Sequence, residues 1–413
     1  MIKDKVNKMI KTEGGVCAAK GFKASGVHCG IRKNKIKRDL SLIVSDVKAS
    51  AAAVYTTNLV KGAPITVTKK NIADGYAQAV ICNSGNANTC NANGIEIAEA
   101  MCELVEKHTS IKSSDVIVAS TGVIGQPLDI TPIANGMDDL VRELDISGSS
   151  RAAEGIMTTD TIIKEVAFNF TVGGKQCTIG GIAKGSGMIH PNMATMLVFV
   201  TSDVNIKPEI LQTALSEDVK DSFNMVSVDG DTSTNDMCCI MANGMAGNEI
   251  IDSVDSIDYK AFQEALFSVT SYLCRNIARD GEGATRLIEV TVSEADTKET
   301  AKVVAKSVAC SSLLKAAIFG SDANWGRVLC AIGYSGADLD VNRIDVSFKS
   351  KAGVIEVCKN GAGVDFSEEI AKKILLEEEI TILISLNSGN ATATAWGCDL
   401  TYDYVKINGD YRT

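Results

Sequence analysis

Short apolar runs of strand length alternate along this chain with segments whose apolar residues recur at helical spacing. That alternation restricts the fold more than any single motif does. "QAVIC" (78–82) and "DVIVAS" (115–120) read as short buried strands. Between them Ile97, Met101, Leu104 and Val105 repeat as one helical face. A second helix is predicted to start at Pro208, a good first-turn residue, with Leu211, Ala214 and Leu215 turned inward. A longer one carries Phe262, Leu266, Val269, Leu273 and Ile277 on one side. "RIDVSF", "GVIEVC" and "EITILISL" predict C-terminal strands. "SEEIAKKILLEEE" between the last two predicts a helix capped by Ser367. No internal repeat, low-complexity stretch or Pro/Ser-rich linker interrupts the pattern. The expectation is a mixed α/β chain with sizeable sheets covered by helices. At 413 residues it exceeds the size at which one core usually splits, so two structural units are expected.

Composition removes several classes of function. A net charge of −10 lacks the basic footprint of a general nucleic-acid binder. The N-terminal "MIKDKVNKMI" has no apolar signal region and no run approaches a bilayer span, so neither secretion nor a membrane is expected. Thirteen Cys without a Cys-x-x-Cys pair fit free thiols in a reducing cytoplasm. Only His28, His108 and His190 exist, so no His-rich zinc site can be built and no metal is expected.

Some motifs fail on inspection. "SVDGDTSTND" spaces Asp229, Asp231, Ser233 and Asn235 as a calcium loop would, but Thr234 stands where Gly is needed and Ile240 where Glu is needed. "GGIAKGSGM" matches no nucleotide-binding pattern, so no cofactor is implied. His28-Cys29 is too short a signal for a thiol nucleophile. His190 precedes Thr195 by five residues, yet a loop histidine before Pro191 is the better account of it.

"NMATMLVFV" hands over at Thr195 from small residues to a good strand former, and Thr195 reads equally well as an ordinary β-branched strand residue. A functional reading must supply a base, because a Thr hydroxyl alone is a weak nucleophile. A Thr at the start of a chain uses its own α-amine, whose pKa of about 7.7–8.0 lies near neutrality. An internal Thr acquires that amine only if the peptide bond before it is cut, and the small Ala194 leaves room for the hydroxyl to reach its carbonyl.

"KGSGMIHPNMATML" resembles the signature of the ornithine acetyltransferase family, also called glutamate N-acetyltransferases of arginine biosynthesis. "NSGNAN", "STGVIG", "MTTDT", "SVDGDTSTND", "RDGEGATR", "SDANWGR" and "CDLTYDYVKINGDYRT" extend the likeness over nearly the whole chain. The resemblance implies an α/β, helix-covered sheet sandwich, similar in active-site logic to N-terminal-nucleophile hydrolases but differently connected. It implies self-cleavage between Ala194 and Thr195, giving an α chain (1–194) and a β chain (195–413) that stay together, typically as α2β2. It assigns Thr195 as nucleophile, Thr121 and Gly122 as the oxyanion donors, and Thr158, Lys184, Glu282, Asn408 and Thr413 as substrate contacts beside Thr195. Arg286 stands where the family pattern has Lys. The implied reaction carries the acetyl group of N2-acetyl-L-ornithine to L-glutamate through an ester on Thr195, without cofactor. Whether acetyl-CoA also donates, making the enzyme bifunctional, is left open. The alternatives are a self-cleaved Thr amidase or aminopeptidase, which would release acetate, and a non-catalytic scaffold, which would remain uncleaved.

Overall fold

Two β-sheets take up the strand-like runs of the computed structural model, which describes residues 9–32, 36–190 and 196–410. The first sheet has nine strands. Its spatial order is Ile10–Thr12, Lys164–Val172, Lys175–Lys184, Leu197–Ser202, Met237–Ala242, Leu40–Tyr55, Tyr76–Asn86 and Val116–Val123, with Phe22–Val27 also paired to Leu40–Tyr55. The second has seven, in the order Ala362–Gly363, Gly353–Lys359, Asp345–Ser350, Glu379–Ser385, Leu287–Ala295, Ala391–Cys398 and Val226–Ser227. Each expected strand overlaps one of these strands, and the expected helices are present, although the segment from Ser367 to Glu379 is helical only over Glu368–Leu375. Pro208 opens the helix Pro208–Asp221, and Ser367 caps Glu368–Leu375 by accepting from Ile370 N–H.

Parallel neighbours need a crossover, which explains where the helices lie. Gly94–Thr109 connects Tyr76–Asn86 to its parallel partner Val116–Val123. Pro208–Asp221 lies between Leu197–Ser202 and its parallel partner Met237–Ala242. The long helix Ile257–Arg279 packs on strands of both sheets. One apolar cluster runs from Val166 and Phe170 through Phe262 and Leu266 to Val290 and Ile382. The two units expected from length are thus two sheets joined by a common core, not two bodies on a linker. Nor does residue 195 divide the sheets. Leu197–Ser202 pairs with Lys175–Lys184 on one side, and Met237–Ala242 pairs with Leu40–Tyr55 on the other. Among the described residues no helix is long and apolar enough to cross a membrane.

Candidate active site

The ends of several first-sheet strands converge on one opening. Val116–Val123 carries Thr121 and Gly122 just before its last residue, and the backbone of Gly122 lies directly against Gly85 in the neighbouring strand. A Cβ at Gly122 would stand 2.3 Å from the Gly85 carbonyl carbon, and its φ of +133° is one that other residues rarely adopt. Only glycine fits there, so the backbone N–H after Thr121 is presented without a covering side chain. Asn235 fixes this strand end from across the sheet. Its Nδ2 donates to the carbonyls of Ala87 (2.6 Å) and Ser120 (2.9 Å), and its Oδ1 accepts from the hydroxyls of Thr89 and Thr234.

Lys184 ends the strand Lys175–Lys184, opposite Leu197. A closed set of buried charges holds it in place. Asp160 accepts from the N–H of Gly185 at 2.7 Å and from that of Thr158 at 2.9 Å. Lys164, almost fully buried, donates to Asp160 at 2.7 Å and to Asp280 at 2.5 Å. Burial alone would raise the Asp160 carboxyl, but the Lys164 and Lys184 ammonium groups outweigh it and hold the group below the usual carboxylate range. Asp280 in turn accepts from Thr161, and its carbonyl accepts from the Ser186 hydroxyl at 2.6 Å. Glu282 N–H donates back to the Ser186 carbonyl at 3.0 Å. Thr158, Lys184 and Glu282, distant in sequence, are therefore tied together through Asp160, Lys164 and Asp280.

Gly187 faces Glu282 so closely that a Cβ there would lie 2.4 Å from its carboxyl carbon. From the C-terminal helix Tyr402–Asp410, Asn408 Nδ2 donates to Glu282 Oε2 at 2.8 Å. A cavity of about 400 Å³ results, lined by Thr121, Gly122, Thr158, Lys184, Glu282 and Asn408 among others. Six of the residues assigned from the resemblance thus share one cavity, with an ammonium and a carboxylate both on its wall. Ala194, Thr195 and Thr413 lie outside the described residues. Met196 lines a small recess that also touches Thr121 and Lys184.

The rejected motifs have structural work. Asp229 accepts from the N–H groups of Met188 and Ile189 at 2.7 and 2.8 Å, so it secures the loop before the cavity. His190 lines a different cavity, where burial and then the Lys306 charge push its imidazole down to about 4. The Cys29 thiol is raised by burial and then by the charge of Asp39. Sequence reasoning missed Asp160, Lys164, Asp280 and the positioning role of Asn235. All but Lys164 lie within motifs quoted for the resemblance. Lys164 gives no signal, because nothing in "IIKEVAF" distinguishes a buried lysine from a surface one.

Comparison with known proteins adds to this geometry. Residues 23–413 match the profile of the ArgJ family. The "Arginine biosynthesis bifunctional protein ArgJ 1" of Clostridium acetobutylicum is 51% identical over 393 residues, 95% of this chain and 96% of its own length. The corresponding protein of Bacillus anthracis is 48% identical over 412 residues, 99% of this chain and 100% of its own. Among solved structures, an ornithine acetyltransferase of Mycobacterium tuberculosis complexed with ornithine is 35% identical. That match covers 45% of this chain and 100% of that one, with a TM-score of 0.42.

Proposed function

The chain belongs to the ArgJ family, and we propose that it carries the acetyl group of N2-acetyl-L-ornithine to L-glutamate through an ester on Thr195. One observation carries this reading: the cavity that gathers Thr121, Gly122, Thr158, Lys184, Glu282 and Asn408. Acetylornithine presents a carboxylate and a side-chain ammonium, and Lys184 and Glu282 offer one opposite charge for each. In the proposed reaction Thr195 Oγ adds to the acetyl carbonyl while its α-amine takes the hydroxyl proton. The Thr121 hydroxyl and the Gly122 N–H donate to the oxyanion that forms. The ornithine nitrogen leaves with a proton, and the glutamate amine then attacks the Thr ester. The relatives' names include "bifunctional", which supports acetyl-CoA as a second donor.

This mechanism requires a cut between Ala194 and Thr195. Because strands before and after that bond alternate in the first sheet, the two chains would remain hydrogen-bonded to each other. An α2β2 assembly and a cytoplasmic location complete the reading, the latter supported by thirteen free thiols.

The test is direct. Denatured protein should give two fragments, residues 1–194 and 195–413, and Thr195→Ala should give one chain. Glutamate should be acetylated from acetylornithine and, in a separate arm, from acetyl-CoA. Acetate release from acetylornithine without glutamate would favour an amidase instead.

A further inference from the structure

Three reactive side chains meet in a cavity apart from the candidate active site. The cavity encloses about 550 Å³, and His190, Lys306 and Cys310 line it together with Lys302 and Ser335. Among the described residues, none that lines the candidate active site lines this second cavity. Lys306 and Cys310 stand four apart on the helix Lys298–Cys310, so their side chains share one helical face. Both are only partly buried. The Cys310 thiol meets His190 Nδ1 at 3.6 Å, and the Ser227 hydroxyl meets the same nitrogen at 3.1 Å.

Lys306 has an unusual setting for a lysine. Lys298 and Lys302, earlier on the same helix, both pair with Asp221, whereas Lys306 has no carboxylate within ion-pair distance among the described residues. Its Nζ donates instead to the carbonyls of Asn224 at 2.7 Å and Val226 at 2.5 Å. Two acceptors match the two hydrogens of a neutral amine and leave its lone pair over. Burial lowers the Lys306 ammonium to about 8, against the charges of Cys310 and Cys274, which raise it. At neutral pH its free amine is therefore on the order of 10² times more abundant than that of an ordinary lysine. His190 is neutral there, so in the tautomer with its proton on Nε2 its Nδ1 accepts from the thiol. A thiol, an imidazole and a free amine on one cavity wall are the parts of an acyl acceptor.

We propose that Cys310 and Lys306 form an acyl-accepting site, at which the acyl group of a small thioester passes through the Cys310 thiol to the Lys306 amine. In the first step the Cys310 sulfur bonds to the acyl carbon and the donor's C–S bond breaks. The Cys310 proton passes by way of His190 to the departing thiol. In the second step Lys306 Nζ adds to the same carbon and the bond to the Cys310 sulfur breaks. An amide forms, and a proton from the amine restores the Cys310 thiol. The acylated nitrogen keeps one N–H where the amine had two, so the carbonyl of Asn224 or of Val226 loses this donor. Those carbonyls flank the entry to the strand Val226–Ser227, whose Ser227 hydroxyl contacts His190. Modification at Lys306 therefore loosens a connection between the helix and the second sheet.

The experiment exposes the purified full-length protein at neutral pH to N,S-diacetylcysteamine, an acetyl thioester small enough for the cavity. Acetylated residues are located over time by peptide mass spectrometry. Lys306 should be acetylated about tenfold faster, or more, than the exposed Lys107, Lys112 and Lys260. Cys310→Ser should slow acetylation of Lys306 by about tenfold or more and leave the three exposed lysines unchanged. Lys306→Arg should stop the transfer half-way, with an acetyl group on Cys310 that hydroxylamine removes. Acetylation of Lys306 no faster than that of the exposed lysines overturns the proposal. So does a Cys310→Ser variant that reacts at the wild-type rate, or a folded Lys306→Arg variant whose Cys310 stays free of acetyl. Each variant's melting transition is recorded, and if Lys306→Arg does not fold, the rate at Lys306 in Cys310→Ser decides.

Discussion

Asp160 and Asp218 are both buried carboxyl groups, and the chain surrounds them in opposite ways. Asp160, under the candidate site, meets Lys164 at 2.7 Å, lies near Lys184, and accepts two backbone N–H groups. Asp218, on the helix Pro208–Asp221, has only hydroxyl partners: Thr270 at 3.1 Å and Ser222 at 2.9 Å. No cation lies within ion-pair distance of it among the described residues. Asp160 is accordingly held ionised, and Asp218 is pushed up to about 7, chiefly by burial. The same side chain becomes a fixed charge where backbone must be aimed and a hydrogen-bonding group that keeps its proton well above the ordinary carboxylate range where helices merely pack. Charge is buried at the site because it orders three distant segments, not because ion pairs stabilise a core efficiently.

Removing the cation is the strongest way to break this contrast. Lys164→Met leaves Asp160 and Asp280 buried without their shared partner, which should cost about 3–5 kcal/mol. Denaturant unfolding would measure it, and a loss below about 1 kcal/mol would mean that Lys184 or water already compensates both carboxylates. The variant should also lose transferase activity beyond its unfolded fraction, since Thr158 and Gly185 hang on Asp160.

The acid without a cation sharpens the contrast through pH. In the folded chain Asp218 holds its proton more tightly than in the unfolded one, whose carboxyl titrates near 3.8. Between about pH 4 and 7 the unfolded state therefore ionises first. Stability contributed by this group falls as pH rises through that window and changes little above it. A shift from 3.8 to about 7 corresponds to about 4 kcal/mol at most. Asp160 has the opposite sign: its contribution is present above about pH 4 and fades as pH falls below it. Asp218→Asn should flatten the decline between pH 4 and 7, and an unchanged pH profile would show that Asp218 is not the group responsible.

The same distinction explains what could be read in advance. Strands such as "QAVIC" and the Ser367 cap follow from local pattern. Thr121, Gly122 and Glu282 were assigned because they sit in motifs. Nothing local reveals that Leu197–Ser202 inserts between Lys175–Lys184 and Met237–Ala242, since that order depends on a crossover helix and a shared core. Lys164 was invisible for a related reason. One of its partners is four residues away and the other 116, and only the fold brings Asp280 to it. The residues that line the cavity were legible in short motifs, whereas the charges that tie them together are a product of topology.

Within the site, Thr121 tests whether a group on the cavity wall acts on charge that exists only during reaction. Thr121→Val preserves shape and strand preference but removes the hydroxyl. If that hydroxyl donates to the oxyanion, kcat should fall by roughly 10²–10³-fold with KM nearly unchanged. Unfolding free energy should move by no more than about 1 kcal/mol. An unchanged kcat in the cleaved, folded variant would take Thr121 out of the chemistry.

Asn408 offers the smallest and most selective comparison. It is exposed on the helix Tyr402–Asp410, far from the buried charge network in its surroundings though not in its target. Its Nδ2 is shared between Glu282 Oε2 at 2.8 Å and the Tyr404 carbonyl at 3.0 Å. Asn408→Ala strands no buried charge, because Glu282 remains open to water at the cavity. Folding stability should therefore stay within about 0.5 kcal/mol. What is lost is one donor that orients the carboxylate, worth about 1 kcal/mol in a hydrated setting. That corresponds to a drop in kcat/KM for acetylornithine of about fivefold, with cleavage at Ala194–Thr195 unaffected. If Asn408→Ala impaired folding as much as Lys164→Met, the rim and the floor of the site would be one cooperative unit, and the division between aimed charge and adjustable contact would fail.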